Sequence, residues 1–507
     1  MRTWLILGAL VVCSVATGQP ARAEDKALEE RIQKLEQQLQ ELRSFEEKER
    51  EKERMKEPPP PLPEGQKPAG TGPIPEIARE RPGEEKVPLS FSSTGSGRLL
   101  YAKPFLSAPK ATVGGYSDIQ YNALTRSNLD NRSRNTFNQV RMIPFIYSDI
   151  TDRIKFATEI EFERGGTNNN QADGEIKLEF AQIDYLFNEG INFRAGIILV
   201  PVGKFNLLHD SPLNDLVDRP MVDRLIIPTT WSEAGAGFYG TLYPGRMSKV
   251  DYELYVINGL QNTSNGVQQG PGQVITALNG MRNARGSMAR DPNDAKSIVG
   301  RLAYSPMLGI EVAGSAYHGL YNNRSTNGVN NINGNVSMYA VDWTLQRGPW
   351  ELIGEAAWAR ITDNCGLGAV GAQCGPSGMF GYYIQGNYHF MPEFLKRLAP
   401  NHFTDASTFT AVVRWEQVDT DTTNITKQYC PVVSSVCSSP GNPRDLQRLT
   451  IGLNFRPIED TVFKLDYQWN SQLDTNVNTR TTNIPTSTNG NNRIDAQGIM
   501  AMVATYF

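Results

Sequence analysis

The chain has 507 residues, of which 39% are hydrophobic and 21% charged, with 45 glycines, 31 prolines and a formal net charge of −4 at pH 7. This balance gives none of the basic surface that nucleic-acid binding needs, so no nucleic-acid partner is expected. Past residue 23, no window approaches the roughly 18 unbroken apolar residues of a membrane helix, which excludes a helical membrane protein. A transmembrane β-barrel is not excluded, because alternating strands average to a polar composition.

The first 23 residues are typical of a signal peptide. Arg2 supplies the positive charge, residues 4–12 the apolar segment, and Ala21 and Ala23 the small residues of a cleavage site. A buried N-terminal strand is the alternative interpretation. A signal peptide predicts that the mature chain, from residue 24, is exported.

Residues 24–57 predict a periplasmic helix. Its apolar residues are spaced four and three apart, as in the seam of a coiled coil: Leu28, Ile32, Leu35, Leu39 and Leu42. Charged residues dominate from position 46 onward. A monomeric amphipathic helix lying on a partner is the alternative to a coiled coil. Residues 58–109 are rich in proline and glycine and predict an extended linker.

From residue 110 to 507 the sequence reads as one domain of alternating strands. In residues 461–470, for example, Phe463 and Leu465 share one face while Lys464 and Asp466 share the other. Residues 409–416 and 449–456 alternate in the same way. Residues 176–187 change phase near Ala181, which suggests a bulge. The apolar face would contact a second sheet in a soluble sandwich and lipid in a membrane barrel.

The connections between strands distinguish these two folds. Short turns alternate with long polar connections, which gives about 16 strands with both chain ends on the short-turn side. Outer-membrane barrels have this asymmetry, whereas a soluble sandwich gives no reason for it. The last strand ends on Tyr506 and Phe507, and a terminal aromatic residue is typical of such barrels. The sequence therefore predicts an all-β fold, a transmembrane antiparallel barrel in the outer membrane of a Gram-negative cell, surrounded by outer-membrane lipid.

Four cysteines remain after removal of the signal peptide, and they form two close pairs in polar segments. Cys365 lies near Cys374, and Cys430 lies near Cys437. Local pairing predicts two loop disulfides, as expected of an exported protein. A Cys₄ metal site is the alternative, but neither pair has the CxxC spacing of zinc ligands.

A barrel of about 16 strands encloses a water-filled lumen, so its function depends on what lines and narrows that lumen. The third long connection, residues 201–231 and here called loop three, is unusually long and rich in leucine, isoleucine and valine. Such a loop either folds back into the barrel as a constriction or packs on a neighbouring subunit. Its candidate constriction residues are Lys204, His209, Asp210, Asp215, Arg219, Asp223 and Arg224.

Two segments resemble the phosphate-selective porin O and P family. One is Arg194-Ala195-Gly196 with the run from Pro201 to Asp210, and the other is Arg219-Pro220 with the run from Ile226 to Gly235. The likeness covers most of the barrel in layout and is specific mainly over residues 191–240. It implies a 16-stranded homotrimeric porin, and the phosphate-binding members line their constriction with arginine and lysine.

The alternation of apolar and polar residues along each strand predicts which charged residues point into the lumen. The candidate lumen-wall residues include Lys155, Glu159, Glu161, Arg194, Arg301, Arg414 and Lys464. Among all inward positions, acids outnumber bases about two to one, which predicts a nearly neutral lumen or a weak cation preference. Arg194, Arg219 and Arg224 are the residues most able to reverse this preference, if loop three brings them together.

The sequence therefore predicts a porin for passive diffusion of small hydrophilic solutes or ions, with no cofactor and no enzymatic activity. The four histidines show no metal-ligand spacing and no CxxCH occurs. Two alternatives remain open. One is a structural anchor whose N-terminal helix contacts peptidoglycan or a periplasmic protein, and the other is a sleeve for a partner that threads the barrel.

Overall fold

The computed structural model describes most of the chain beyond residue 109. The described residues are 110–124, 135–164, 174–264, 267–268, 274–277, 279–286, 288, 291, 293–322, 334–362, 365–368, 371–423, 445–472, 488–489 and 493–507. The predicted signal peptide (residues 1–23), periplasmic helix (24–57) and linker (58–109) lie outside these residues, and so do Cys430 and Cys437.

Sixteen long strands form one closed antiparallel barrel, as the alternation and the turns predicted. In chain order the strands are β1 (Lys110–Leu124), β2 (Asn135–Asp149), β3 (Ile154–Glu163), β4 (Glu175–Asn188), β5 (Ile191–Leu199), β6 (Ser232–Leu242), β7 (Lys249–Ile257), β8 (Ser297–Met307), β9 (Ile310–Asn322), β10 (Gly334–Arg347), β11 (Trp350–Ile361), β12 (Gly378–Phe390), β13 (Thr408–Asp419), β14 (Asp445–Ile458), β15 (Thr461–Gln472) and β16 (Arg493–Tyr506). Each strand pairs with the next one along the chain.

Pairing of the first and last strands closes the barrel, so the sheet has no free edge. Tyr116 of β1 lies opposite Tyr506 of β16 in the register. Beyond β16, the backbones of Gly115 and Phe507 exchange two hydrogen bonds of 3.0 and 2.9 Å. Closure satisfies the backbone groups that an open edge would expose to lipid.

Short and long connections alternate around the barrel, as predicted. The short side carries residues 150–153, 189–190, 243–248, 308–309, 348–349, 391–407 and 459–460. The long side carries loop three, which begins one residue earlier than predicted, at Val200, and the next connection, residues 258–296, here called loop four.

Few helices interrupt the barrel. Helix α1 (Val222–Leu225) lies in loop three, a 3₁₀ turn (Arg282–Ala284) lies in loop four, and helix α2 (Glu393–Leu398), which was not predicted, lies on the short-turn side. Short strands in the long connections are Thr263–Ser264, Val267–Gln268, Cys365–Gly368, Gly371–Cys374 and Thr488–Asn489. No helix within the described ranges is both long and apolar enough to cross a membrane.

The outer surface of the barrel is apolar because alternate residues of each strand point away from the lumen. Phe463 and Leu465 of β15 are 46% and 54% exposed, whereas Lys464 and Asp466 between them are buried on the inner side. Near the short-turn end, aromatic rings of neighbouring strands stack along the outer face: Phe390, Phe409, Phe455 and Phe463. Such a row is typical of the aromatic girdle of outer-membrane barrels.

The predicted irregularity in the fourth strand is a bulge two residues before Ala181. Glu159 of β3 lies opposite Phe180 and Ile160 opposite Leu178, so Glu179 is an extra residue on β4. Its side chain is fully buried on the inner side. The bulge therefore adds a carboxylate to the lumen that strict alternation along the strand does not predict.

Candidate functional site

Several charged side chains that the sequence assigns to the lumen wall form ion pairs with acids of other strands. Arg194 of β5 forms two hydrogen bonds of 2.8 and 2.9 Å with Asp184 of β4. Arg301 of β8 lies 2.7 Å from Asp342 of β10. Lys155 lies 2.8 Å from Asp149 beside a short turn, at the end of the barrel. These three cations are therefore balanced locally by acids.

Glu161 of β3 forms a small network with two cations that the sequence analysis did not identify. It accepts from Arg141 of β2 at 2.9 Å and lies 2.8 Å from Lys177 of β4. Glu159, two residues earlier, accepts a long hydrogen bond of 3.4 Å from the Tyr147 hydroxyl. The pairing of β1 with β2 shifts register close to Arg141. Because of this shift, simple alternation along β2 does not predict that Arg141 points inward.

Loop three lies against the inner face of the barrel. Its apolar residues Val202, Val222 and Ile226 are fully buried. They share one hydrophobic cluster with wall residues such as Val336 and Met379. An apolar segment gains free energy by leaving water, and the wall supplies the surface that covers it.

Wall carboxylates accept hydrogen bonds from the backbone of loop three. The bonds run from Lys204 N and Phe205 N to Glu355 Oε2 (2.9 and 3.2 Å), from Val217 N to Asp466 Oδ2 (2.5 Å) and from Met221 N to Glu416 Oε2 (2.6 Å). A loop inside a protein needs partners for its backbone N–H groups because water does not reach them. These three acids supply such partners, so they are structural ligands of the loop.

Wall cations bind the loop through its carbonyl oxygens. Lys464 Nζ donates to Ser211 O at 2.7 Å, and Arg414 Nη2 donates to Asp218 O at 2.8 Å. Arg456 of β14, which is not among the predicted wall residues, donates to Pro212 O at 2.8 Å. The predicted wall residues Arg414 and Lys464 therefore fasten loop three to the barrel.

The predicted loop-three residues do not form one group. His209 is buried, with Nε2 2.5 Å from Glu179 and Nδ1 2.9 Å from the carbonyl oxygen of Asn206. Asp210 accepts from the Tyr506 hydroxyl at 2.9 Å, beside the last strand.

Other acids and cations of loop three contact different parts of the wall. Asp215 accepts from Asn387 at 2.7 Å, and Lys204 reaches Glu311 at 3.1 Å. Asp223 lies beside Glu355, within hydrogen-bonding distance. These contacts distribute most of the predicted constriction residues around the inner wall.

Loop four brings two further arginines to loop three. Arg282 donates to Thr229 O at 3.3 Å, and Arg285 donates to Thr230 O at 2.8 Å. Arg219 donates to the hydroxyl of the same Thr230 at 3.3 Å. Loop four was not among the predicted constriction segments, although it carries hydrophobic residues comparable to those of loop three: Leu260, Val274, Ile275 and Met281.

We call Arg219, Arg224, Arg282 and Arg285 the arginine cluster. Burial lowers the pKa of Arg282 to about 9, and the charges of Arg285, Arg224 and Arg219 add to this effect. Like charges brought together in this way repel one another and attract an anion. Arg194, which would have acted with Arg219 and Arg224 if loop three had brought the three together, lies instead on the wall beside Asp184.

The sequence of the barrel matches a known protein family. The sequence profile of the phosphate-selective porin O and P family matches residues 112–496. The chain belongs to this family. The resemblance inferred from residues 194–235 is thereby confirmed, and membership indicates an outer-membrane channel rather than an enzyme.

Other comparisons give more distant likenesses. An uncharacterized protein of Aquifex aeolicus (strain VF5) is 27% identical over 368 residues, which covers 70% of this chain and 74% of that protein. Among solved structures, the anion-selective porin from Comamonas acidovorans is 10% identical with a TM-score of 0.47, covering 79% of this chain and all of that one. The outer membrane channel DcaP of Acinetobacter baumannii is also 10% identical, with a TM-score of 0.44, covering 79% of this chain and 97% of that one.

Within the part of the chain that the structure describes, the cysteines and the possible metal ligands do not form a second functional site. The backbones of Cys365 and Cys374 are opposite each other in a short hairpin, in a long connection of the barrel. A disulfide between them stays a prediction. No group of three or more His, Cys, Asp or Glu residues with metal-binding geometry occurs among the described residues.

Proposed function

We propose that this porin is a diffusion channel for small hydrophilic solutes in which loop three, with loop four beside it, forms the constriction. The observation that carries the proposal is the arginine cluster, which joins Arg219 of loop three to Arg282 and Arg285 of loop four around Thr229 and Thr230. A narrow passage lined by one sign of charge selects ions of the opposite sign.

The proposal includes a preference for small anions, which revises the weak cation preference expected from the sequence. That expectation counted every inward acid as a charge acting on the solute. Glu355, Glu416 and Asp466 instead accept hydrogen bonds from the loop-three backbone. Within the described residues, Nε and Nη2 of Arg219 are buried and have no hydrogen-bond partner, so a small anion bound beside them would supply the missing acceptors.

Two other roles remain from the sequence analysis. A sleeve for a threading partner requires an open lumen, and the contacts of loop three with the wall disfavour that role. The other role is a structural anchor in which residues 24–57 contact peptidoglycan or a periplasmic protein, and it stays a prediction from the N-terminal sequence. A homotrimer in outer-membrane lipid stays a prediction from the family resemblance.

The test is the reversal potential of the purified porin in a planar bilayer across a KCl gradient. We expect wild type to favour chloride and Arg219→Ala or Arg282→Ala to reduce this preference. Loss of one lining charge weakens anion attraction by about 1 kcal/mol, which corresponds to about a fivefold drop in the permeability ratio. The matched control is Arg397→Ala on the exposed side of α2. A cation-selective wild type, or arginine variants that behave like this control, would contradict the proposal.

A further inference from the structure

Two buried carboxyl groups lie side by side where loop three meets the wall. Asp223 of α1 and Glu355 of β11 are both 0% exposed, and their side chains are within hydrogen-bonding distance of each other. Glu355 Oε2 already accepts from the backbone of Lys204 and Phe205. No donor among the described residues reaches Glu355 Oε1 or either oxygen of Asp223.

The neighbouring strands do not supply a cation that pairs with either group. On β13, Arg414 lies near Asp223, but its guanidinium donates to Glu416 at 2.9 Å and to the carbonyl oxygen of Asp218 at 2.8 Å. The other titratable groups that face the pair are acids or a phenol: Glu416 on β13, Asp342 on β10 and Tyr383 on β12.

Two ionised carboxylates in contact repel each other strongly when water is excluded, so one of them must hold a proton. Burial raises the pKa of Asp223 well above its ordinary value, and the charge of Glu355 raises it further. With one proton present, the protonated oxygen donates to the other carboxyl group. Two of the three unpartnered oxygens, one from each carboxyl group, then form a hydrogen bond that joins α1 to the wall.

We propose that one proton shared between Asp223 and Glu355 holds loop three on the barrel wall, so that rising pH releases the loop and changes the conductance of the channel. Release of the loop depends only on the protonation of Asp223 and Glu355. The effect on conductance rests on the proposed function, in which loop three forms the constriction.

The direction follows from proton linkage. The docked loop keeps a proton that Asp223 loses when the loop is released into water. Docking is therefore unaffected below the ordinary pKa of an aspartate and weakens as pH rises from there through the raised pKa. Within that window the ratio of released to docked loops increases by up to about tenfold for each pH unit.

Loop release is measured first, without reference to transport. Trypsin cleavage in loop three, after Lys204 or Arg224, is followed on the full-length porin in detergent between about pH 6 and about pH 9. Asp223→Asn and Glu355→Gln each replace one carboxyl group by a neutral amide that donates without a titrating proton. At each pH, the cleavage rate of wild type is divided by that of either variant. This ratio does not depend on how the activity of trypsin itself changes with pH.

We expect this ratio to rise by up to about tenfold for each pH unit in the window. The control is Asp405→Asn, an exposed carboxylate on the short-turn side, which should behave like wild type. A ratio that stays constant with pH for both variants would overturn the proposal. The two variants change different partners, so a folding defect in one leaves the other to decide.

Single-channel recordings over the same pH range separate this inference from the proposed function. We expect the conductance of wild type to change with pH and that of both amide variants to stay constant. Release of the loop without a change of conductance would show that the carboxyl pair holds the loop and that loop three is not the constriction. A conductance change that persists unaltered in both variants would overturn the role of the pair.

Discussion

Glu416 on the inner face of β13 accepts a hydrogen bond of 2.6 Å from the backbone N–H of Met221 in loop three. The two residues are 195 positions apart in the chain. The same carboxylate accepts from Arg414 at 2.9 Å, so it joins a wall cation and the loop in one arrangement. An acid used in this way contributes to the position of the loop more than to the field that a solute meets.

Replacement of Glu416 should therefore destabilise the barrel. Glu416→Ala removes the acceptor of the Met221 N–H and the carboxylate that pairs with the buried Arg414 guanidinium. Removing one partner of a buried ion pair costs about 3–5 kcal/mol. On a semi-native gel, we expect the variant to change from the mobility of the folded barrel to that of the unfolded chain at a lower temperature than wild type. Glu393→Ala on exposed helix α2 is the control and should leave that temperature unchanged. Equal transition temperatures for the two variants would show that Glu416 does not fasten the loop.

The contact between loop three and loop four depends on a glycine. Gly280 has a φ of +57°, and a Cβ there would lie 1.8 Å from Leu225 O. That oxygen accepts from Met281 N at 2.8 Å, so a side chain at position 280 would separate the two loops. Gly280→Ala should destabilise by about 1–3 kcal/mol and weaken the anion preference, because Arg282 and Arg285 move away from Arg219.

Gly314→Ala is the matched control for this change. Gly314 lies in β9, and a Cβ there meets nothing within 4 Å. Unfolding and reversal potential should match wild type. If Gly280→Ala also matched wild type in both measurements, the loop contact would not be needed for the arginine cluster.

The barrel should form without the N-terminal segment. The linker lacks apolar periodicity, so few contacts are expected to cross it. Deletion of residues 24–88 with the signal peptide retained should give a membrane-inserted barrel that still shifts its gel mobility on heating. Insertion of full-length protein but not of the truncated chain would contradict the predicted division into domains.

The cysteines should pair locally. The hairpin register places the backbones of Cys365 and Cys374 opposite each other. Small closed loops of this kind add about 3 kcal/mol or less, so the barrel should survive reduction. Peptide mapping without reduction is expected to join Cys365 to Cys374 and Cys430 to Cys437. Cross-linked peptides that combine the two pairs would refute this pattern.

Much of the barrel was predictable because strand alternation is local. Lys464 and Asp466 could be assigned to the lumen from their apolar neighbours, since side chains of a strand alternate between its two faces. The alternation of short and long connections likewise gave the number of strands. Glu179 was missed because a bulge interrupts the alternation, and only the phase change near Ala181 indicated it.

The sequence by itself determined the barrel, its inward and outward faces, and the presence of one apolar loop that needed cover. Tertiary structure decided what the charges do. The bond from Lys464 to Ser211 and the contact of Asp223 with Glu355 each join residues more than a hundred positions apart. Such pairs depend on where loop three crosses the lumen and which strands it meets. Residue periodicity does not contain that information, because it gives the face of a strand but not the partner across the barrel.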